Sequence, residues 1–470
     1  MSGSPSLTSE SPTLMDETPA GREPAGLRPA PTPALPRLLA GLESHEAMSL
    51  DDHLAIHGDI ALHRGRGRAR EGEHLIEEIE HSGLRGHGGG GFPVARKLRA
   101  VAGARGRPIV VVNAAEGEPA SQKDRTLLQT LPHLVIDGGL LCANALGARE
   151  VIICVCESEL SSQETVARAI DERRRMPGAG RLAELTLATA PSGYVAGQES
   201  ALVNHLNGGP AKPTFTPPMP FQQGVRRRPT LVNNAETLAH VALIARHGAH
   251  WFRELGTEAQ PGSALITISG ALAHPGVYEI EYGAPLNSLI AAGGGLTSGA
   301  RAVLLGGYAG AWLGAEYLDE LILSEEHLGP HGATLGAGIV LLLSEAACPV
   351  AETARVARWL AEEGAGQCGP CVNGLDALAL TVEAIAAGGV NAARCNQRIS
   401  RLGGLVYGRG ACAHPDGAVR FITSAARTFA AEFADHAEHG PCDACNRPSE
   451  LPLPAGAGRG GSMRIPGARL

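Results

Sequence analysis

Aromatic side chains are scarce in this 470-residue chain. Phe, Tyr and Trp together make up 3%, and none occurs before Phe92. Platforms on which bases stack need such rings, so single-stranded nucleic acid is not an expected partner. An excess of positive charge is also missing. The 40 Lys and Arg against 48 Asp and Glu leave a formal charge of −8, which argues against nucleic acid generally. Lysine itself is nearly absent, with only Lys97, Lys123 and Lys212 present. Arg serves wherever a generic positive charge will do. A retained Lys therefore marks either a place that needs a compact ammonium or a chance survivor of codon bias. Long apolar runs are lacking too. The best, Gly338 to Leu343, falls far short of the roughly 18 residues of a membrane span. No basic head followed by an apolar stretch opens the sequence, so neither a direct membrane span nor a secretory signal is expected.

Ten cysteines are too few and too scattered for a disulfide scaffold in a chain of this length. Cys142, Cys154, Cys156 and Cys348 sit in apolar runs and read as small buried hydrophobes. Cys368, Cys371, Cys395, Cys412, Cys442 and Cys445 cluster late, a pattern of metal binding in a reducing compartment. Hydrophobic residues make up 44%, enough for sizeable cores. Residues 1–42, with eight prolines and no aromatic, read as a disordered tail. Helical stretches alternate with short β-branched runs (Pro108 to Asn113, Glu150 to Cys156, Leu185 to Ala190) and predict a three-layer α/β domain over residues 43–255. Residues 262–315 read as a small β-grasp unit, residues 345–437 as a helical domain with cysteines in its loops, and residues 438–470 as a flexible tail.

Four polar loops carry the chemistry. The segment Gly86 to Gly91 holds five glycines in six positions, which lets backbone amides approach a phosphate closely. It follows a helix, unlike the dinucleotide fingerprint, and Lys97 lies six residues beyond it. The loop Asn113-Ala-Ala-Glu-Gly-Glu, with Glu116 and Glu118 one residue apart, follows a strand-like run, as does Gly193-Tyr-Val-Ala-Gly-Gln-Glu-Ser. The carboxyl ends of such strands are where α/β sheets hold ligands. Asn233 and Asn234 stand at a helix start, suited to an N-cap as well as to a ligand. Together the four loops predict one composite cofactor pocket. Cys368-Gly-Pro-Cys371, with forty residues between Cys371 and Cys412, reads as a metal or iron–sulfur site, and the exposed pair Cys442/Cys445 is either idle or a metal or redox site.

These motifs, in this order from about Ser49 to His436, resemble the family of NADH-binding flavoprotein (51 kDa, or F) subunits of respiratory complex I, which is related to subunits of NAD-linked hydrogenases and formate dehydrogenases. The resemblance implies a Rossmann-like α/β FMN domain, a soluble-ligand-binding (SLBB) β-grasp domain and a C-terminal helical bundle holding a 4Fe–4S cluster. By position it implies FMN against Gly88, Gly89, Gly90, Gly91, Lys97, Asn113, Glu116, Tyr194, Asn233, Asn234 and Thr237, and NADH near Phe92, Glu118 and Glu199. It implies cluster ligation by Cys368, Cys371 and Cys412, and a cytoplasmic protein at most peripheral to a membrane complex through other dehydrogenase subunits.

The chain departs from the family pattern at several points. Ala115 and Gln198 replace acids beside the flavin, Ala100 and Met219 replace aromatics, and Thr216 replaces a Lys. Ala365 stands in the place of the first cluster cysteine. The remaining ligand could be Cys395, His414, a carboxylate or water, or the cluster could be 3Fe–4S. The expected activity is electron transfer from NADH through FMN to an iron–sulfur cluster and a one-electron carrier. A different reductant such as ferredoxin, or a non-catalytic scaffold that keeps the fold, are the competing readings.

Overall fold

The computed structural model describes residues 28–29, 35–42, 46–60, 62, 66–178, 180 and 182–454. Its ten strands are β1 Arg28–Pro29, β2 Ile109–Ala114, β3 Glu150–Cys156, β4 Glu184–Ala190, β5 Thr230–Asn234, β6 Ser263–Gly270, β7 Gly276–Glu281, β8 Ala300–Leu305, β9 Ala311–Gly314 and β10 Ile339–Ser344. They form two sheets.

The first sheet is parallel, in the order β4-β3-β2-β5. Ile109 to Val112 are fully buried, because both faces are covered, and such strands read as continuous apolar runs. One face carries the helices Pro132–Leu146 and Ala235–Arg253, which pack on the helix Arg66–Ser82. Their close approach depends on Gly138, where a Cβ would lie 1.9 Å from the Leu238 carbonyl oxygen. The helix Glu199–Leu206 covers the other face through Leu202 and Val203. Cys142, Cys154 and Cys156 are buried in this unit, as small hydrophobes are.

The second sheet is mixed, in the order β1-β7-β6-β10-β8-β9. The sequence placed this unit within residues 262–315, but its central strand is β10, which enters between β6 (parallel) and β8 (antiparallel). The all-buried run Ile339 to Leu343 is thus the middle of a sheet covered on both sides. Nothing in its local pattern says which strands flank it.

Five helices, Pro349–Glu362, Asp376–Ala387, Ala392–Val406, His414–Thr428 and Ala430–His439, make the C-terminal bundle around Trp359, Leu378, Phe421 and Phe433. Among the described residues, 370–387 is the one continuous helical stretch long and apolar enough to cross a membrane by length and composition. It packs against the other four helices of this bundle.

Both ends of the chain depart from the tails expected of them. Backbone amides of Arg37, Leu38 and Leu39 donate to the buried Glu279 carboxylate at 2.8, 3.0 and 3.1 Å, and Leu38 is fully buried. At the other end the chain runs on through a turn at Asp443–Asn446, and Leu451 is buried against the bundle. The Glu352 carboxylate accepts from the Glu450 amide at 2.7 Å, and the Pro452 carbonyl from the Tyr308 hydroxyl at 2.6 Å. Proline-rich composition signalled disorder, whereas anchoring hydrogen bonds and buried leucines fix these segments. The rest of the predicted tails, 1–27, 30–34 and 455–470, lies outside the described residues.

Candidate functional site

The loops that follow β2, β4 and β5 leave the parallel sheet at its carboxyl edge and meet the glycine loop there. The glycine loop is closed by a bridge between Arg85 and Pro93 and by the Gly86 amide donating to the Phe92 carbonyl at 2.9 Å. Gly89 and Gly91 have φ of 97° and 55°, a conformation that favours glycine. Cβ atoms at Gly90 or Gly91 would meet nothing within 4 Å, so these amides line open space. Thr237 holds the loop from below, its Oγ1 accepting from the His87 amide at 2.9 Å. The loops after β2 and β4 interlock backbone to backbone. A Cβ on Gly117 would lie 2.5 Å from the Gly193 carbonyl oxygen, and one on Gly197 would lie 2.3 Å from that of Ala115.

The result is one cavity of about 780 Å³, and all fourteen cofactor-contacting residues expected from the sequence lie on its wall. A larger cleft, about 1130 Å³, lies beside Arg149 and Glu184 at the amino ends of β3 and β4, the wrong edge of the sheet for a ligand.

The side chains differ in how free they are. Lys97, from the first turn of the helix Val94–Ala102, donates to Glu199 and to the Val232 carbonyl, both at 3.0 Å. Asn113 donates to the Gly197 carbonyl at 2.7 Å. Asn234 is the N-cap of the helix Ala235–Arg253, its Oδ1 accepting from the Glu236 amide at 3.0 Å while its amide nitrogen is taken by Asp124. The cap and the Asp124 carboxylate thus engage both polar atoms of its side chain. Asn233 differs, because its buried Nδ2 has no hydrogen-bond partner among the described residues. A buried donor without an acceptor costs about 1–3 kcal/mol, so its place on the cavity wall fits a polar ligand. Phe92 leaves 49% of its surface exposed at the cavity wall, an apolar face without a cover.

Two acids of the cavity, Glu116 and Glu118, are drawn toward neutrality. Glu118 accepts from the Tyr308 amide at 3.0 Å and the Tyr194 hydroxyl at 3.2 Å, and burial nevertheless pushes its pKa up to about 7. Burial, with Asp124 adding to it, pushes Glu116 up to about 8; Ser121 donates to it. Lys123, one of the three lysines, is not among the site residues expected from the sequence. It is buried, ion-paired with Glu236 at 2.8 Å and Asp124 at 3.1 Å. Burial opposes its charge, yet Asp124, Glu236 and Glu116 hold its pKa above the ordinary value. Gln198 spends its side-chain oxygen on capping the helix Glu199–Leu206, accepting from the Ser200 and Ala201 amides at 2.8 and 3.0 Å. Phe221 and Arg420 also line the cavity. Sequence reading missed both: Phe221 lies two residues beyond Met219, where an aromatic was sought, and Arg420 comes from the distant bundle.

Cys412 and His414 reach the same cavity from the bundle. Burial aside, Cys368 lies close enough to Cys371 and Cys412 to raise the pKa of both, Cys412 adds to the rise at Cys371, and Cys371 is the more buried of the CxxC pair. Backbone amides turn toward the sulfurs, from Ala411 and Cys371 toward Cys368, from Gly366 toward Cys371, and from His414 toward Cys412. Burial raises the Cys368 pKa, but these donors outweigh it and leave the thiol below its ordinary value. Burial dominates at Cys371, which rises to about 11. Soft thiols fed by amide donors fit an iron–sulfur cluster, whose ligands bind different irons and so stand further apart than ligands of one ion. Ala365 is buried. Of the alternatives for a remaining ligand, Cys395 is buried within the helix Ala392–Val406. The His414 Nδ1 is buried without a hydrogen-bond partner among the described residues, while its Nε2 is bound to the Leu360 carbonyl at 2.8 Å.

Cys348, read as an idle buried thiol, instead faces Cys442, Cys445 and His436.

Comparison with known proteins gives three family matches along the chain. The Nuo51 FMN-binding domain matches residues 79–243, the SLBB domain residues 265–307, and the NADH-ubiquinone oxidoreductase-F iron–sulfur binding region residues 351–436. An F subunit of the NADH-quinone oxidoreductase of Rhizobium meliloti, the second of that type, is 31% identical over 418 residues, 87% of this chain and 99% of that protein. The NADH-quinone oxidoreductase F subunit of Streptomyces coelicolor is 31% identical over 411 residues, 85% of this chain and 91% of that protein. Among solved structures, the NAD+-reducing [NiFe]-hydrogenase in the H2-reduced state superposes with a TM-score of 0.72 at 30% identity, covering 85% of this chain and 68% of that one.

Proposed function

The chain belongs to the family of NADH-quinone oxidoreductase F subunits, and from that premise we propose that it passes electrons from NADH through FMN to an iron–sulfur cluster and on to a one-electron carrier. The observation that carries this reading is a single cavity with the glycine loop on one wall and Cys412 on another, so that donor, flavin and cluster would be neighbours. The flavin, when bound, supplies the conversion between two-electron and one-electron transfer. The chain binds and orients. The amides of Gly88 to Gly91 and the Lys97 ammonium offer donors to a phosphate, and Asn233 offers its free Nδ2 to a polar ring edge. The exposed Phe92 offers a face to a flat ring, and Asn113, Glu116, Tyr194, Asn234 and Thr237 hold the loops in register.

One electrostatic theme runs through the site. Ala115 and Gln198 carry no charge, and Glu116 and Glu118 are drawn toward their neutral forms. A wall with less negative charge favours both a phosphate-bearing ligand and a reduced, anionic flavin. The partners follow the same premise: other subunits of an oxidoreductase complex, peripheral to a membrane. Val372, 55% exposed beside Cys371, supports an exit for electrons toward such a subunit.

A second reading, reduction by ferredoxin, is favoured by Ala100 and Met219 on the cavity wall, where stacking rings would strengthen capture of a nicotinamide. Stopped-flow bleaching of the bound flavin separates the two. Saturable bleaching by NADH is expected, and bleaching by reduced ferredoxin alone would transfer the assignment to the second reading.

A further inference from the structure

Four side chains outside the cavity converge from three separate parts of the sequence. Cys348 precedes the helix Pro349–Glu362, His436 lies in the last turn of the helix Ala430–His439, and Cys442 precedes and Cys445 lies within the short turn that follows. The Cys445 Sγ lies 3.4 Å from the Cys348 Sγ and 3.8 Å from the Cys442 Sγ. The His436 Nε2 lies 3.4 Å from the Cys348 Sγ and 3.9 Å from the Cys445 Sγ, and all four ligand atoms fall within 4.8 Å of one another. A tetrahedral zinc with Zn–S near 2.3 Å and Zn–N near 2.0–2.1 Å sets its ligand atoms about 3.5–3.8 Å apart, which these separations bracket. We infer that Cys348, His436, Cys442 and Cys445 form a structural Cys3His zinc site, separate from the cysteines beside the flavin cavity.

The surroundings fit a closed site. Cys348 and His436 are buried. Cys348 caps its helix, its sulfur accepting from the Ala351 amide at 3.3 Å, where a thiolate gains from the helix dipole. The Cys445 amide donates to the Cys442 carbonyl at 3.0 Å, giving the tight turn that a Cys-x-x-Cys pair needs to present both sulfurs to one ion. With four protein ligands there is no open position, so the role is structural. The ion would pin the C-terminal segment to the bundle. That segment then runs on to Leu451 and Pro452, whose carbonyl is bound by Tyr308, and the Tyr308 amide holds Glu118 at the flavin cavity. The pin therefore lies one hydrogen-bonded chain away from the site where electrons enter.

The test uses the full chain, purified without chelator and supplied with zinc. Metal analysis should give one zinc per chain, and X-ray absorption at the zinc edge should show three sulfur neighbours near 2.3 Å and one nitrogen near 2.0–2.1 Å. The double variant Cys442→Ser with Cys445→Ser should lose this zinc and keep its iron. The double variant Cys368→Ala with Cys412→Ala should keep the zinc. Failure of the wild type to bind zinc, a shell of nitrogen and oxygen only, a Cys442–Cys445 disulfide without metal, iron at these four ligands, or loss of the zinc in the Cys368/Cys412 variant would each overturn the assignment. Should the Cys442/Cys445 variant fail to fold, the wild-type zinc shell and the Cys368/Cys412 variant still decide.

Discussion

Lys97 and Glu118 show how much single side chains set the character of the cavity. The Lys97 ammonium, already 3.0 Å from Glu199, is the one lysine that sits beside the glycine loop with part of its surface open. Lys97→Glu would set a carboxylate against Glu199 and against any phosphate in the loop. It is expected to abolish flavin retention through gel filtration, and full flavin occupancy in that variant would refute the assignment of the phosphate site. Glu118 lends itself to a pH experiment on the flavin-free chain. Its pKa is about 7 in the folded chain against an ordinary value of 4.5, so the folded chain holds this proton more tightly than the unfolded one. Its contribution to stability is therefore present below about pH 4.5 and is lost as pH rises to about 7. Glu118→Gln stays neutral throughout. Relative to the wild type it should gain stability between pH 5 and pH 8, by at most about 2–3 kcal/mol. Denaturant melts at the two pH values measure this, and an equal difference at both would show that the carboxyl is not held neutral.

At the scale of elements, the legible parts of the structure were those written in contiguous residues. The strands β2, β3 and β4 announced themselves as β-branched runs, and the glycine loop announced itself by composition. Their meeting in one cavity followed from the resemblance and from the rule that α/β ligands sit at the carboxyl edge. What stayed hidden was long-range. The place of β10 at the centre of the second sheet depends on pairing with strands about 35 and 70 residues earlier, which no local period encodes. Likewise Cys348 carries no mark of its distant partners, since a buried thiol in an apolar run looks the same with or without them. The cysteine loops of the bundle were legible because a CxxC spacing is local, and they carry a prediction of their own. Replacing Cys368, Cys371 and Cys412 with Ala one at a time should each lower the roughly three to four irons per chain of an anaerobic preparation. Iron and sulfide analysis checks this, and unchanged iron in all three variants would move the cluster elsewhere.

For the whole molecule, the two sheets need not act as separate bodies. The contacts across the junction point to one cooperative unit centred on Glu236. This buried carboxylate binds Lys123 at 2.8 Å through one oxygen and accepts from the Leu265 amide of β6 at 2.8 Å through the other. It therefore ties the loop after β2, the helix that opens at Asn234 and the second sheet to a single group. A further hydrogen bond, from the Gln122 amide to the Thr267 hydroxyl at 3.0 Å, crosses the same junction. Removing one partner of a buried ion pair typically costs about 3–5 kcal/mol, because the other charge is left without compensation. Glu236→Ala should cost that much, and Glu236→Gln less, since the amide oxygen can still accept from Leu265. Cooperativity should show in the order of events as well as in the size of the loss. In the wild-type holoprotein, flavin release and loss of far-ultraviolet dichroism should coincide along a denaturant series. In Glu236→Ala the flavin should leave first, because the loop carrying Glu116 and Glu118 is no longer held through Lys123 to the second sheet. A Glu236→Ala chain that loses less than about 1 kcal/mol, a loss in the range of an exposed pair, or that still releases flavin in step with unfolding, would show that the junction is not what holds the cavity in shape.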